Sequence, residues 1–94
     1  MKKIKWGIIG LGNIAYKFAQ AFQYTKNATL KGISSNNEER LKNFEKEFKI
    51  DKDYCFDNYQ QLIDCKDIDI IYIAIPNSLH SEWIIECLKK KKKF

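Results

Sequence analysis

The 94 residues predict an α/β fold of the doubly wound parallel kind, and only the N-terminal portion of that architecture. Three observations lead to this class. Short apolar segments alternate with amphipathic segments of helical length, which is typical of crossover connections and a parallel sheet. Residues 68–75 are almost continuously apolar, as expected of a strand that helices cover on both faces. A glycine-rich turn at residues 10–13 joins the first strand to the first helix.

The first strand is predicted at residues 4–9, an apolar and β-branched run that stops at Gly10. From Asn13 the apolar residues follow a helical period, which predicts a helix to about Gln23. The apolar stripe of this helix consists of three residues four apart, with two alanines beside them: Ile14, Phe18 and Phe22, and Ala15 and Ala19. A second strand is expected at residues 28–33.

Two overlapping capping-box patterns, at residues 35–38 and 36–39, predict the start of a second helix. Its inward residues follow at helical spacing: Leu41, Phe44 and Phe48. A short third strand is expected at residues 54–56.

Asp57 is expected to cap a short third helix. The fourth strand is predicted at residues 68–75, and Asn77 or Ser78 is expected to cap a last helix that runs through Leu88. The element order is therefore β-α-β-α-β-α-β-α.

The charge of the chain is concentrated at its end. The net charge of +5 equals the contribution of the lysine run at residues 89–93, and the remaining residues hold 12 basic and 12 acidic side chains. A nucleic-acid-binding face needs a spread basic surface, so no nucleic-acid partner is expected. We expect the lysine run to be a solvated end, contact with an acidic surface being the alternative.

Cysteine spacing and hydropathy exclude three further classes. The three cysteines, at positions 55, 65 and 87, form no C-x-x-C pair, so neither a disulfide framework nor a metal site is expected. The longest apolar run is far shorter than the roughly 20 residues that cross a bilayer. These features favour a cytoplasmic protein with no membrane partner.

The glycine turn carries the strongest functional signal. Residues 10–15 read G-x-G-x-x-A between a strand and a helix. In such a turn the first glycine permits the bend, the second lets a phosphate approach the backbone, and the small third residue lets helix and strand pack closely. The free N–H groups and the dipole of the helix start then favour an anion. The alternative is a tight turn with no ligand, against which the paired glycines argue.

The end of the second strand bears on the choice of nucleotide. NAD-binding units place an acid there to bind the ribose hydroxyls. Here Ser35 and Asn36 stand in that region, and the first acid is Glu38. The absence of an earlier carboxylate permits NADP, although the nearest Arg is Arg40, one helical turn further on. Ser35 and Asn36 could bind either cofactor or simply cap the helix.

The fourth strand is predicted to end at Ile75, and Pro76, Asn77 and His80 follow it. Ligands of open α/β sheets lie beyond the carboxyl ends of the strands, so these residues are expected to face the same crevice as the glycine turn. Taken singly, Asn77 would be a helix cap and His80 a surface histidine.

Four segments together resemble the N-terminal domain of the Gfo/Idh/MocA family, the glucose–fructose oxidoreductases and inositol dehydrogenases. They are residues 7–15 (GIIGLGNIA), 38–41 (EERL), 57–63 (DNYQQLI) and 68–80 (IDIIYIAIPNSLH). The resemblance implies a partial Rossmann fold, NAD or NADP as the cofactor, and an oxidoreductase acting on a sugar, polyol or similar hydroxyl compound.

The resemblance also implies which residues would contact each part of the cofactor. Gly10, Gly12, Asn13 and Ile14 would hold the pyrophosphate. Ser35 and Asn36 would lie by the adenosine ribose. The nicotinamide side would be lined by Ile75, Pro76, Asn77 and His80.

Members of that family continue into a further strand, a Glu-Lys-Pro motif whose lysine serves catalysis, and a substrate domain. Residues 1–94 contain no Glu-Lys-Pro, so they are expected to be an NAD(P)-binding domain that is incomplete at its C-terminus, truncated before the substrate domain, with no catalytic residue. The fourth strand would then lack one neighbour, and an uncovered apolar edge favours a homo-oligomer.

Two other interpretations remain open. The chain could be a stand-alone dinucleotide-binding or sensing module without catalysis. It could also be another Rossmann enzyme, such as a methyltransferase that uses S-adenosylmethionine, although Ser35 and the ending Pro76-Asn77-x-x-His80 argue against this class.

Overall fold

A computed structural model describes residues 3–75, 77–90 and 92–94, with the backbone alone for residues 77–79. It contains four strands and four α-helices in strict alternation. In chain order these elements are β1 (Ile4–Ile9), α1 (Asn13–Ala21), β2 (Ala28–Ser34), α2 (Glu38–Phe48), β3 (Cys55–Phe56), α3 (Tyr59–Asp64), β4 (Ile70–Ile73) and α4 (Asn77–Lys89). The predicted element order is confirmed.

The four strands form one sheet in the order β3-β2-β1-β4, and every pair is parallel. The chain therefore runs outward on one side of β1 and then crosses to its other side. This reversal of direction is the topological switch of doubly wound folds, beside which their ligands bind.

Two apolar clusters cover the two faces of the sheet. On one face α1 and α2 pack against β1 and β2, through buried residues that include Ile8, Ile33 and Phe44. On the other face α3 and α4 pack against β4, through Ile71 and Cys87 among others. Helices on both faces confirm the predicted α/β class, and they explain why β4 is continuous in apolar residues.

The first helix ends earlier than its apolar period predicts. Regular α-helix stops at Ala21, and a single 3₁₀ turn, Phe22–Tyr24, completes the segment. The stripe also differs at its start, because Ile14 is 66% exposed while Ala15 and Ala19 are buried. The small side chains of Ala15 and Ala19 let α1 pack closely on the sheet, whereas Ile14, at the start of the helix, faces solvent.

The predicted caps of α2 and α3 are displaced, and the side chains of Asn77 and Ser78, predicted to cap α4, lie outside the described residues. Asn37 caps α2, and its side chain accepts a hydrogen bond from the Arg40 amide at 3.1 Å. Ser35 is not the cap, because its hydroxyl accepts from the Asn37 amide, which precedes the helix. Likewise Asn58, and not Asp57, caps α3.

The fourth strand is shorter than predicted, Ile70–Ile73 in place of residues 68–75. Single hydrogen bonds to β1 extend its pairing at both ends, from the Asp69 amide to the Lys5 carbonyl and from the Ala74 amide to the Ile9 carbonyl.

The expectation of a solvated lysine run is wrong for Lys92, whose side chain is half-buried, and the backbone of Lys93 is engaged although its side chain is exposed. The backbone of Lys93 pairs with Ile70 in parallel, at the edge of β4, and its carbonyl accepts from the Ile71 amide at 2.8 Å. The Lys92 ammonium donates to the carbonyls of Cys65 and Ile68, which lie in the loop after α3. A side chain with three donors can satisfy both carbonyls, which local charge patterning does not reveal.

Candidate functional site

The candidate site lies at the carboxyl edge of the sheet, where β1, β2 and β4 end side by side. Two hydrogen bonds hold these ends together. The Gly10 amide donates to the Ser34 carbonyl at 3.0 Å, and the Ala74 amide donates to the Ile9 carbonyl at 2.8 Å. The three segments that the sequence singled out therefore meet at one edge.

Gly10 brings the turn against the end of β4. Its φ is +87°, a conformation that side chains rarely adopt. A β-carbon placed there would lie 2.6 Å from Cγ2 of Ile75 and 2.8 Å from the carbonyl oxygen of Ala74. Both the backbone conformation and the close approach thus require glycine, as the first position of the motif demands.

Gly12 has a different reason to be glycine. It is the N-cap of α1, where no side chain caps the helix, and its backbone is extended, with φ −93° and ψ −164°. A β-carbon on Gly12 would meet nothing within 4 Å. The protein itself therefore leaves room for a side chain there, so that packing does not explain its absence.

The start of α1 is open to solvent around Gly12. Asn13 and Ile14 are both exposed, and the first turn holds no acidic residue. Backbone N–H groups at such a start have no partner inside the helix, and the helix dipole makes the position favourable for an anion. A helix start that is open in this way can accept an anion.

The polar residues after β2 lie at this edge in unequal environments. Ser35 is 5% exposed, and its hydroxyl oxygen accepts from the Asn37 amide at 3.0 Å. Its neighbour Asn36 is exposed. Ser34 is fully buried and donates its hydroxyl to the Ile8 carbonyl.

The end of β4 is tied to the first turn of α4. Nε2 of His80 lies 2.5 Å from the carbonyl oxygen of Ile75. Because a carbonyl oxygen only accepts, this nitrogen is the protonated donor of the ring. The histidine therefore holds Ile75, which packs against Gly10. Pro76 and the side chain of Asn77, two further residues that the resemblance places here, lie outside the described residues.

Two structural roles at this edge are not evident in the sequence reading. The carbonyl of Ala74 forms one wall against Gly10. Asn37 supplies the cap of α2, and the acid pair that directly follows it, Glu38 and Glu39, is the signal that could have identified the helix start.

The described part of the chain also bears on three other kinds of function, namely metal binding, membrane insertion and thiol chemistry. No group of three or more metal-ligating side chains forms there, and no helix there is long and apolar enough to cross a membrane. Burial raises the pKa of the Cys55 thiol to about 12, and the nearby Glu45 carboxylate acts in the same direction. A raised pKa leaves little thiolate at neutral pH and makes the thiol a poor nucleophile.

Comparison with known proteins agrees with this geometry. Residues 4–94 match the sequence model of a family described as "Oxidoreductase family, NAD-binding Rossmann fold". Among curated relatives, glucose-6-phosphate 3-dehydrogenase of Bacillus subtilis is 38% identical over 92 residues, which are 98% of this chain and 24% of the relative. The chain thus spans about a quarter of the length of the curated relatives it matches.

Two solved structures show the same fold. Scyllo-inositol dehydrogenase from Lactobacillus casei, with bound NAD(H) and scyllo-inositol, superposes with a TM-score of 0.88 at 27% identity, over 97% of this chain and 26% of the other. A mutant 3-ketoreductase from Actinomadura kijaniata, in complex with TDP-benzene and NADP, gives a TM-score of 0.86 at 29% identity, over 97% and 28%.

Proposed function

Since the chain belongs to the Gfo/Idh/MocA oxidoreductase family, we propose that its glycine turn seats the pyrophosphate of NAD or NADP. In this proposal the chain is the cofactor-binding part of an oxidoreductase that acts on a hydroxyl carbon of a sugar, polyol or similar compound. The bound nicotinamide would supply the hydride chemistry, and these residues would bind and orient it.

The observation that carries the proposal is the contrast between the two glycines. Gly10 is required by the fold, because a β-carbon would collide with Ile75 and Ala74. Gly12 is not required by the fold, because a β-carbon would meet nothing. A glycine that packing does not need, at the open start of a helix, fits a group that must approach the backbone from outside.

Each proposed contact follows from the placement of a residue. Gly10, Gly12, Asn13 and Ile14 form the turn and helix start that would hold the pyrophosphate. Asn36 is exposed beside the end of β2 and would reach the adenosine ribose, while the buried Ser35 would shape that turn.

The nicotinamide side would be formed by the end of β4 and the start of α4. Ile75, Pro76 and Asn77 would line it, and His80 would keep Ile75 in place through its hydrogen bond to the Ile75 carbonyl. This arrangement binds and orients a cofactor but offers no proton-transfer lysine of the Glu-Lys-Pro kind, which the 94 residues do not contain.

Titration of the folded chain with NADH and NADPH tests the proposal. We expect saturable enhancement of nicotinamide fluorescence, and no measurable oxidation of inositol or glucose by the chain alone. Circular dichroism establishes that the titrated chain is folded. Flat titrations with both cofactors on folded chain would overturn the proposal.

A further inference from the structure

An aromatic cleft lies on the α1 face of the sheet, near the starts of β1 and β2 and away from the glycine turn. It has a volume of about 240 Å³ and is lined by three aromatic and three small side chains: Trp6, Phe18, Phe22, Ala21, Thr25 and Ala28. The three rings meet edge to face, with centroids 5.2 to 6.0 Å apart. All three are only partly buried, so their apolar surface stays in contact with water.

Apolar surface continues beside the cleft. Ile4 stands two residues before Trp6, hence on the same face of β1, and it is 44% exposed. Tyr24 stands in the chain between Phe22 and Thr25, and it is 85% exposed. Exposed apolar side chains that cluster in one place, unlike those scattered singly, mark an interaction surface.

Three exposed lysines border the cleft. Lys17 lies one helical turn before Ala21 and therefore on the same flank of α1. Lys26 directly follows Thr25 in the loop that leads to β2. Lys3 lines a neighbouring cavity of about 550 Å³, which shares three of its lining residues with the cleft.

These lysines join no ion pair in the described part of the chain, where the ion pairs involve α2, α3 and the end of α4. The cleft itself is lined by uncharged residues. In the neighbouring cavity Glu47 accepts a hydrogen bond from the Tyr16 hydroxyl. Residues 1–37 contain six lysines and no acidic residue. An uncharged cleft is thus surrounded by positive charge.

We propose that the aromatic cleft is a docking site for an acidic amphipathic helix of a partner protein. The apolar side chains of that helix enter the cleft, and the Asp and Glu side chains beside them pair with Lys3, Lys17 and Lys26. The strands under the cleft already pair with each other, Ile4 with Ala28, so they offer side chains and no free backbone groups. A helix suits such a surface because it satisfies its own backbone. The proposal does not rest on the cofactor site, which lies at the other end of β1.

Charge and ring geometry decide among the occupants. A second copy docked about a two-fold axis would bring the same lysines together, and like charges oppose this arrangement. A nucleic acid needs ring faces on which its bases stack, whereas the rings of the cleft meet edge to face. An acidic helix compensates the lysines and removes the apolar surface from water.

Fluorescence anisotropy of labelled synthetic peptides tests the proposal on the whole chain. The probe is a Leu–Glu peptide of about 18 residues, roughly five helical turns, with its leucines along one face. One comparison peptide has Lys in place of every Glu, and the other has Ala in place of every Leu. We expect saturable binding of the Leu–Glu peptide, and at least about tenfold weaker binding of both comparison peptides.

Ala21→Glu places a carboxylate in the cleft at an exposed position. It should weaken the binding of the Leu–Glu peptide at least about tenfold, because the new charge is desolvated there and faces other acids. Gln61→Glu is the matched control, since it adds the same charge in the groove beside β3. Circular dichroism establishes that both variants are folded.

A pair of lysine variants tests the rim of the cleft. Lys17→Gln/Lys26→Gln should weaken the binding of the Leu–Glu peptide about fivefold, as expected for the loss of two exposed charge pairs. Lys42→Gln/Lys52→Gln removes the same net charge from the groove beside β3 and should leave the binding nearly unchanged.

Four results would overturn the proposal. The first is no binding of the Leu–Glu peptide, or binding of the Leu–Lys peptide with equal affinity. The second is binding of the Leu–Glu peptide that Ala21→Glu and Lys17→Gln/Lys26→Gln leave intact. The third is a dimer in sedimentation that Ala21→Glu dissociates, because a second copy would then occupy the cleft. The fourth is tighter binding of an oligothymidylate that Ala21→Glu abolishes, which would assign the cleft to nucleic acid.

Discussion

Separate substitution of the two motif glycines by alanine should have different effects: Gly10→Ala should lower the stability of the fold, and Gly12→Ala should lower the affinity for the cofactor. In Gly10→Ala the new β-carbon would lie 2.6 Å from Ile75 Cγ2, at a φ of +87°. A side chain in a sparsely populated backbone region costs about 1–3 kcal/mol, and overpacking costs a further ~1–3 kcal/mol. For a domain of this size the sum lowers Tm by at least about 10 °C.

Gly12→Ala should leave the fold nearly unchanged. The new β-carbon meets no atom within 4 Å, and the backbone already lies at a negative φ. A weaker N-cap costs a few tenths to about 1 kcal/mol, and reduced freedom of the unfolded chain offsets about 0.4–1 kcal/mol of it. The methyl group would, however, occupy the space through which a phosphate reaches the helix start, so the affinity for NADPH should fall about tenfold or more.

Thermal unfolding followed by circular dichroism and fluorescence titration with NADPH measure the two effects on the same samples. The reasoning would be refuted by a Gly12→Ala chain that is folded and binds NADPH as tightly as the unaltered chain. It would equally be refuted by a Gly10→Ala chain that keeps its Tm, because the close contact with the end of β4 would then not exist.

Three further substitutions or conditions test the rest of the structure. Lys92→Met removes the ammonium that donates to two backbone carbonyls, and it should lower the free energy of unfolding in urea by about 1–2 kcal/mol. Lys93→Met is the control, because the Lys93 side chain is exposed and its loss should not change the stability. The hydrogen bond from Tyr54 lowers the pKa of Asp67 and raises that of Tyr54 to about 12. The bond therefore stabilises the fold above the unfolded pKa of Asp67, and this stabilisation is lost as pH falls through the lowered pKa of Asp67. It is lost again in alkali, as pH rises through the raised pKa of Tyr54. In Tyr54→Phe the urea concentration at the unfolding midpoint should depend less on pH in both the acid and the alkaline range. An unchanged pH dependence would show that the bond between Tyr54 and Asp67 does not form. Since burial raises the pKa of Cys55 to about 12, iodoacetamide should label it far more slowly in the native chain than in urea, as peptide mass spectrometry would show.

The sequence predicts the glycine turn and its position at the carboxyl edge of the sheet well because local rules define them. A glycine pair between a β-branched strand and an alanine-rich helix specifies both the bend at Gly10 and the open helix start at Gly12. Parallel strands then bring the ends of β1, β2 and β4 to one edge without further information. The order of elements and the two-faced sheet follow from the same patterns.

The differences arise where a distant partner decides. Ser35 has the sequence of a helix cap, but its amide donates to Phe56 in the neighbouring strand and its hydroxyl accepts from Asn37, and it is Asn37 that caps α2. Lys92 looks solvated by its neighbours in sequence, but its ammonium bonds the loop after α3, 24 and 27 residues away. Hydrogen bonds over such separations depend on the folded topology and leave no local pattern.

The exposure of Ile14 likewise could not be predicted from the helical period of the apolar residues. This residue belongs to the four-residue repeat of α1, yet it is 66% exposed, since the helix starts beyond the edge of the sheet. Exposure of an apolar residue at this position agrees with its proposed place beside a cofactor, which remains a prediction.

Amide chemical shifts measured by NMR during titration with NADP⁺ test the central claim most directly. The proposed cradle requires that the largest, saturable changes fall on the amides of Gly12, Asn13 and Ile14, with smaller ones at Ile75 and His80. Changes confined to the opposite edge of the sheet, around Thr25 and Ala28, would contradict the account.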